Sequence, residues 1–186
     1  MYEKEIIESF LRTRSEELYG ELFAVLYPRV RRYFILKGLD NAVAEDLAQE
    51  SLLKVFQRAG ELREQSLFLG WVFAIARNEL LLYWRRLQSR IATVSFETSP
   101  EILGVPAPEG EGGIGSTLLP ELISCLEPAE RDLLLLRFVE ELSYEELAQV
   151  LEIPIGTVKW RLYRLKRKLS SAIKRDISYR RRTRIH

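Results

Sequence analysis

The sequence predicts an all-α chain: two small helical domains joined by a flexible acidic linker, the C-terminal one a helix-turn-helix. Three observations predict this. Apolar residues recur at spacings of three and four in both halves of the chain, which is the period of a helix with one buried face. Between the halves, residues 95–116 hold three prolines, five glycines and four glutamates with no periodicity. Finally, Leu142–Leu169, LSYEELAQVLEIPIGTVKWRLYRLKRKL, reads as helix, tight turn, helix.

The 186 residues suffice for one ordinary domain or two small ones, and 47% hydrophobic residues allow packed cores. The longest uncharged run, Gln65–Ala76, has 12 residues, too short to span a bilayer, so no membrane insertion is expected. The start, MYEKEIIESF, is acidic and amphipathic, without the shape of a signal peptide. Cys125 is the only cysteine and His186 the only histidine. An intrachain disulfide, a His/Cys metal site and a histidine-based catalytic triad are therefore excluded. No cofactor and no metal are expected, and the chemistry suits a reducing cytoplasm.

The net charge of +1 hides a strong asymmetry. Residues 96–155 carry 13 acidic and 2 basic groups, whereas residues 156–186 carry 12 basic and 1 acidic. A partner feels the local field rather than the total, and the basic block suits a polyanion. For residues 174–184 alone, a solvated tail fits equally well.

Residues 1–37 read as helical: Leu18, Leu22, Val25, Leu26, Val30, Tyr33 and Phe34 keep the helical spacing, and Gly38 ends the segment. Asp40 or Asn41 then caps a helix from Ala42 to Ala59. Ala44, Leu47, Ala48, Leu52 and Val55 form its core face. The opposite face carries Asp46, Gln49, Glu50, Leu53 and Gln57. Leu53 is either a lone exposed leucine or the apolar anchor of a docking face for a partner helix.

After a polar turn at Glu61–Ser66, a long helix runs from Leu67 to Leu87 and is apolar almost all round, so most of it is buried. One arc gathers Arg77, Asn78, Leu81, Trp84 and Arg85. Cations beside aromatics suit single-stranded nucleic acid, the cations tracking phosphates and the rings stacking on bases. The alternative is that Trp71, Tyr83 and Trp84 are core, with arginines snorkelling at its edge.

Beyond the linker, Leu118–Leu126 and Pro128–Phe138 read as two helices, with Pro128 at a first-turn position. Ser143 and Glu146 form a capping box opening the helix Tyr144–Leu151, and Glu152-Ile153-Pro154 make the turn. In the helix that follows, Ile155, Val158, Leu162, Leu165 and Leu169 fall within about 80° of arc. Trp160, Tyr163, Arg164 and Arg167 lie opposite, flanked by Lys159, Arg161, Lys166 and Lys168. A narrow apolar seam with a broad cationic face fits the major groove, the N-terminal residues from Thr157 onward meeting base edges and the later cations meeting phosphates. A solvated surface helix, or one that binds a membrane or an acidic partner, has the same pattern; the capped helix and tight turn before it favour DNA.

Together these motifs resemble a bacterial RNA polymerase sigma factor of the extracytoplasmic-function (ECF) group, in the sigma-70 superfamily. The resemblance covers nearly the whole chain and rests on three motifs in order. AEDLAQESLLKVF (Ala44–Phe56) looks like the region-two helix that docks on the polymerase clamp helices. FLGWVFAIARNELLLYWRR (Phe68–Arg86) looks like the helix that melts and reads the −10 element. Leu126–Leu169 looks like region four, whose helix-turn-helix reads the −35 element.

The resemblance implies domains at 1–94 and 117–186 around the linker 95–116. Asp46, Gln49, Glu50, Leu53 and Gln57 become the face that binds RNA polymerase core, at the beta-prime clamp helices, with the beta flap as a second partner. Arg77, Asn78, Trp84 and Arg85 become contacts to melted promoter DNA, to which the resemblance adds Phe68, Trp71, Tyr83 and Arg86. Thr157, Lys159, Trp160, Arg161, Tyr163, Arg164 and Arg167 become the −35 contacts. Arg63–Leu67 matches a loop that captures a flipped base, and the linker a segment threading toward the RNA-exit path. An anti-sigma factor is implied as a further partner, holding the protein inactive by covering these faces. Such a factor is not an enzyme. In three places the chain departs from the family pattern: Trp160 replaces a small polar residue, Leu82 an acidic one and Leu69 a basic one. Two rivals are a helix-turn-helix regulator that works without polymerase and a carboxylate-metal nuclease built on Glu45, Asp46 and Glu50.

Overall fold

In the computed structural model, residues 2–62, 64–94 and 126–183 are described, with side chains at 5–62, 64–89 and 126–171. The linker and the expected helix at 118–126, apart from its last residue, lie outside them. The described residues form seven α-helices with short 3₁₀ and π turns and no strand.

The N-terminal stretch read as helical forms two helices: α1 (Tyr2–Thr13) and α2 (Glu16–Leu36). Arg14 takes a left-handed conformation with φ of 51°, and Ser15 caps α2 by accepting from the Leu18 N–H at 3.3 Å. The cap and the two glutamates of the first turn restart the helix at an angle. This folds Phe10 back onto Tyr19 and Phe56, burying it completely. Gly38, at φ of 89°, ends the segment as expected, and Asp40 caps α3 (Asn41–Arg58) by accepting from the Val43 N–H at 2.9 Å. All five residues expected on the core face of α3 are buried, while Leu53 remains half-exposed.

The long helix α4 (Phe68–Val94) runs past the expected Leu87. The stretch Gln65–Ser89, which takes in most of this helix, is long and apolar enough to cross a membrane by composition. Here it is a core helix: Phe68, Val72, Phe73, Ile75, Ala76 and Leu80 are buried in the core shared with α2 and α3. Glu79 on its buried side is neutralised by Lys54 of α3 at 2.5 Å.

In the C-terminal module, Pro128 opens α5 (Pro128–Leu134), which passes into a π turn at Leu135–Val139 instead of continuing as a regular helix. The Glu140 N–H reaches back five residues to the Leu135 carbonyl at 3.0 Å. The wider turn sends Phe138 outward, 60% exposed, and Glu140 inward, 1% exposed. Then come α6 (Tyr144–Leu151) and α7 (Ile155–Thr183). The capping box is formed as expected: Ser143 Oγ accepts from the Glu146 N–H at 3.1 Å, and Glu146 Oε2 accepts from the Ser143 N–H at 2.8 Å.

The two modules share one hydrophobic core, with α6 packed along α4. Glu146 does double duty, because its Oε1 also accepts from the Gly70 N–H at 3.1 Å. Gly70 lies in the first turn of α4, where backbone N–H groups lack helical partners and a carboxylate is favoured. The approach requires glycine: a Cβ at residue 70 would stand 2.8 Å from Glu146 Cβ and 2.9 Å from its Cα.

Candidate nucleic-acid interface

The turn before α7 is built from backbone hydrogen bonds. Glu152 is left-handed (φ 53°, ψ 43°), the Ile153 N–H bonds the Ala148 carbonyl at 3.1 Å, and the Glu152 N–H bonds the Gln149 carbonyl at 3.3 Å. This is the Schellman arrangement with glutamate where glycine usually sits. Pro154 then supplies the first carbonyl of α7, accepting from Thr157 and Val158. Val158, Leu162 and Leu165 are buried, pinning the helix by its seam, while Ile155 at its start is partly exposed.

The other faces of α7 point to solvent. Lys159, Trp160, Arg161, Tyr163, Arg164 and Arg167 are exposed, and Thr157 is half-buried at the first turn. The aromatics and arginines pair along the helix at a spacing of four. Arg164 Cζ lies 4.8 Å from the centroid of the Trp160 ring, and Arg167 Cζ lies 5.9 Å from that of Tyr163. Midway along α7, Lys168 Nζ donates to Glu130 Oε2 of α5 at 2.6 Å. Burial would raise the Glu130 pKa, but that bond, the Glu127 N–H and the nearby Arg164 charge hold it below its ordinary value.

The arc on α4 is only partly available. Asn78, Arg85 and Arg86 are exposed, and Trp71, Tyr83 and Trp84 are half-buried, with the Tyr83 and Trp84 rings edge to face at 5.4 Å. Two expectations need correction. Phe68 is 2% exposed and packs beside Trp71 in the core, so it cannot meet DNA from this position. Arg77 is turned toward α5: its buried Nε stands 3.9 Å from Asp132 Oδ2 and has no hydrogen-bond partner. Of the expected base-capturing loop, Arg63 lies outside the described residues, while Gln65–Leu67 form a 3₁₀ turn.

On α3, Asp46, Gln49, Leu53 and Gln57 are exposed together. Glu50 is part of the same face but is tied to Lys54 at 2.9 Å. Burial would lower the Lys54 pKa; its hydrogen bonds to Glu79 and Glu50 raise it overall.

One cluster escaped the sequence. Arg29, Arg32 and Lys37 of α2 face the C-terminal module and bind its carboxylates. These pairs are 95–111 residues apart in sequence, and no local period marks such contacts. The only available signal was the cationic run Arg29-Val30-Arg31-Arg32 in the half of α2 that carries no acidic residue.

The two halves match separate family models. Residues 18–90 match sigma-70 region 2, and residues 116–169 match sigma-70, region 4. RNA polymerase sigma-H factor of Pseudomonas aeruginosa is 31% identical over 145 residues, covering 72% of this chain and 75% of the relative. The ECF RNA polymerase sigma factor BldN of Streptomyces coelicolor is 26% identical over 163 residues, 86% of this chain and 62% of the relative. The sigma factor RpoE of Bartonella quintana, solved with the anti-sigma factor NepR, has the same fold, with a TM-score of 0.63 and 24% identity over 86% of this chain and 98% of that one. With more than half of its length matched by those two models, in order, this chain belongs to the sigma-70 family, in the extracytoplasmic-function group, and directs promoter-specific transcription by RNA polymerase.

Proposed function

We propose that the chain binds RNA polymerase core through the α3 face, reads the −35 element with α7, and reads and helps melt the −10 element with the exposed arc of α4. The observation that carries this is α7 itself: its seam is buried while its aromatic and cationic faces lie open to solvent. Thr157, Lys159, Trp160 and Arg161 meet base edges, and Tyr163, Arg164 and Arg167 extend the contact to further bases and phosphates. Asn78, Trp84, Arg85 and Arg86 take the separated strand, with Trp71 and Tyr83 as stacking partners.

Asp46, Gln49, Glu50, Leu53 and Gln57 dock on the clamp helices of the beta-prime subunit, and the C-terminal module meets the beta flap. The factor supplies specificity and strand separation, the polymerase supplies the chemistry, and both act in the cytoplasm. An anti-sigma factor, such as the one that holds the Bartonella relative, would keep the protein inactive by covering these faces.

Run-off transcription with core polymerase on a random promoter library tests the reading. The expected result is a pair of enriched sequence blocks at a fixed spacing. Transcription without sequence enrichment, or no binding to core at micromolar concentration, would overturn it.

A further inference from the structure

The cationic face of α7 is interrupted by a carboxylate from another helix. Leu133 of α5 is buried in the same core as Val158, Leu162 and Leu165 of α7. Glu130 precedes Leu133 by three residues, so helical spacing puts both on one side of α5. Between the two helices lies a groove, across which Glu130 faces Trp160, Arg164 and Lys168. Those three residues follow one another at a spacing of four and form a single stripe of α7.

Glu130 is held in place by its own helix. Its Oε2 accepts from the Glu127 N–H at 3.1 Å, and its N–H donates to the Glu127 carbonyl at 2.9 Å. The same Oε2 accepts from Lys168 Nζ at 2.6 Å. Arg164 is stacked on Trp160, and its charge also acts on the Glu130 carboxylate. The carboxylate is thus a fixed negative charge beside two cations of a helix that addresses a polyanion.

The charge discriminates between the two things that Arg164 can bind. An arginine fork pairs with a phosphate or with the edge of a guanine. A phosphate brought to Arg164 or Lys168 meets the charge of Glu130, whereas a neutral base edge does not. Phosphate contacts supply the affinity common to all sequences, and base edges supply the preference. Repulsion of the wrong ligand is one of the two ways to gain specificity.

We propose that Glu130 is a positioning residue that sets the specificity of α7: its carboxylate withholds Arg164 and Lys168 from the phosphate backbone and leaves Arg164 for a base edge. Glu130 itself touches no DNA and acts through the two cations. The proposal rests on the reading of α7 as the reader of duplex DNA.

The test uses the full chain and two fluorescent duplexes, titrated across salt concentrations. One carries the upstream block enriched in the transcription library, and the other is a scrambled version of it. E130Q removes the charge, while the amide oxygen still accepts from the Glu127 N–H, as glutamine does in a capping box. It should bind the scrambled duplex roughly tenfold tighter at low ionic strength, with a log–log salt slope steeper by about 0.9 per phosphate gained. The enriched duplex should gain only about threefold, through Lys168, because Arg164 is already on a base. The preference therefore falls about threefold. Against K168Q, E130Q/K168Q should gain about threefold on the scrambled duplex and nothing on the enriched one. An unchanged preference in E130Q, shown to be folded by thermal unfolding, would overturn the proposal. So would an equal loss on both duplexes, which is what a merely structural role gives. R164A tests the underlying reading. If the preference survives R164A, Arg164 is not on a base, and that reading and the proposal fall together. If R164A abolishes the preference while E130Q leaves it unchanged, the proposal alone falls.

Discussion

The guanidinium of Arg164 stacks over the ring of Trp160, 4.8 Å from its centroid, on the solvent face of α7. Trp160 is thus a platform for the arginine one turn on. Arginine reads guanine through two parallel hydrogen bonds, which require a fixed fork. Replacing Arg164 with alanine should cost about 1–3 kcal/mol of duplex binding and relax specificity at one or two bases. Trp160→Ala should lose less, about 0.5–1 kcal/mol, and blur specificity at the same bases. Trp160→Phe should restore much of it. Binding of the full chain to a library of −35 variants measures all three. An equal loss on every sequence would make Arg164 a phosphate contact.

A second prediction concerns the docking face. Leu53 is half-exposed and lies outside the hydrophobic core, so its replacement should leave folding within about 0.5 kcal/mol of the parent. Glu50 gives up only an exposed pair with Lys54, worth about 0.3–0.5 kcal/mol. Replacing both with alanine should nevertheless abolish binding to polymerase core, because a central apolar anchor carries much of an interface's energy. Thermal unfolding and core pull-down, measured together, check this. Intact core affinity would move the docking site elsewhere.

How much of this was legible beforehand depended on the range of the interaction. Ser143, Glu146, Asp40 and Gly38 act within four residues of themselves, and the structure uses all four as caps or helix ends as the sequence suggested. The buried stripe of α3 is equally local. Misreadings arose where distant packing decided the outcome. Phe68 opens a motif that looks nucleic-acid-facing, yet the core takes it. Arg77 sits on the expected arc, yet Asp132 draws it away. The break at Arg14 was hidden because helical spacing continues across it, and only Ser15 marked a restart. Glu146 was legible as a capping residue, but its bond to Gly70, 76 residues away, was not.

A third prediction follows from Glu130. Burial, the largest single effect, would raise its pKa in the folded protein, but the hydrogen bonds from Lys168 and the Glu127 N–H, with the Lys168 and Arg164 charges, together hold it below its ordinary value. A carboxyl depressed on folding stabilises fully above its unfolded pKa, about 4.3, and loses that contribution as pH falls through the lower folded value. Lys168 is well exposed, so the effect is small, about 0.2–1 kcal/mol. Melting temperatures of the parent and Glu130→Gln should therefore differ near neutral pH and converge in acid. A gap that widens as pH falls would contradict the assignment.

The turn between α6 and α7 gives the last prediction. Glu152 is left-handed at φ of 53°, a conformation that costs an L residue with a Cβ about 1–2 kcal/mol. Both hydrogen bonds of the turn use backbone atoms, so glycine would keep them. Glycine would relieve the strain but add about 0.4–1 kcal/mol of unfolded-chain entropy, leaving a net gain of about 0.5 kcal/mol. Valine would fare worse than glutamate, since β-branching crowds the left-handed region. The order of melting temperatures should be Glu152→Gly above the parent and Glu152→Val below it. Duplex binding should not weaken in Glu152→Gly, because residue 152 precedes the helix and its side chain adds a negative charge that DNA would not favour. A melting temperature for Glu152→Gly below the parent would show that the glutamate side chain stabilises the turn by more than its backbone strain costs.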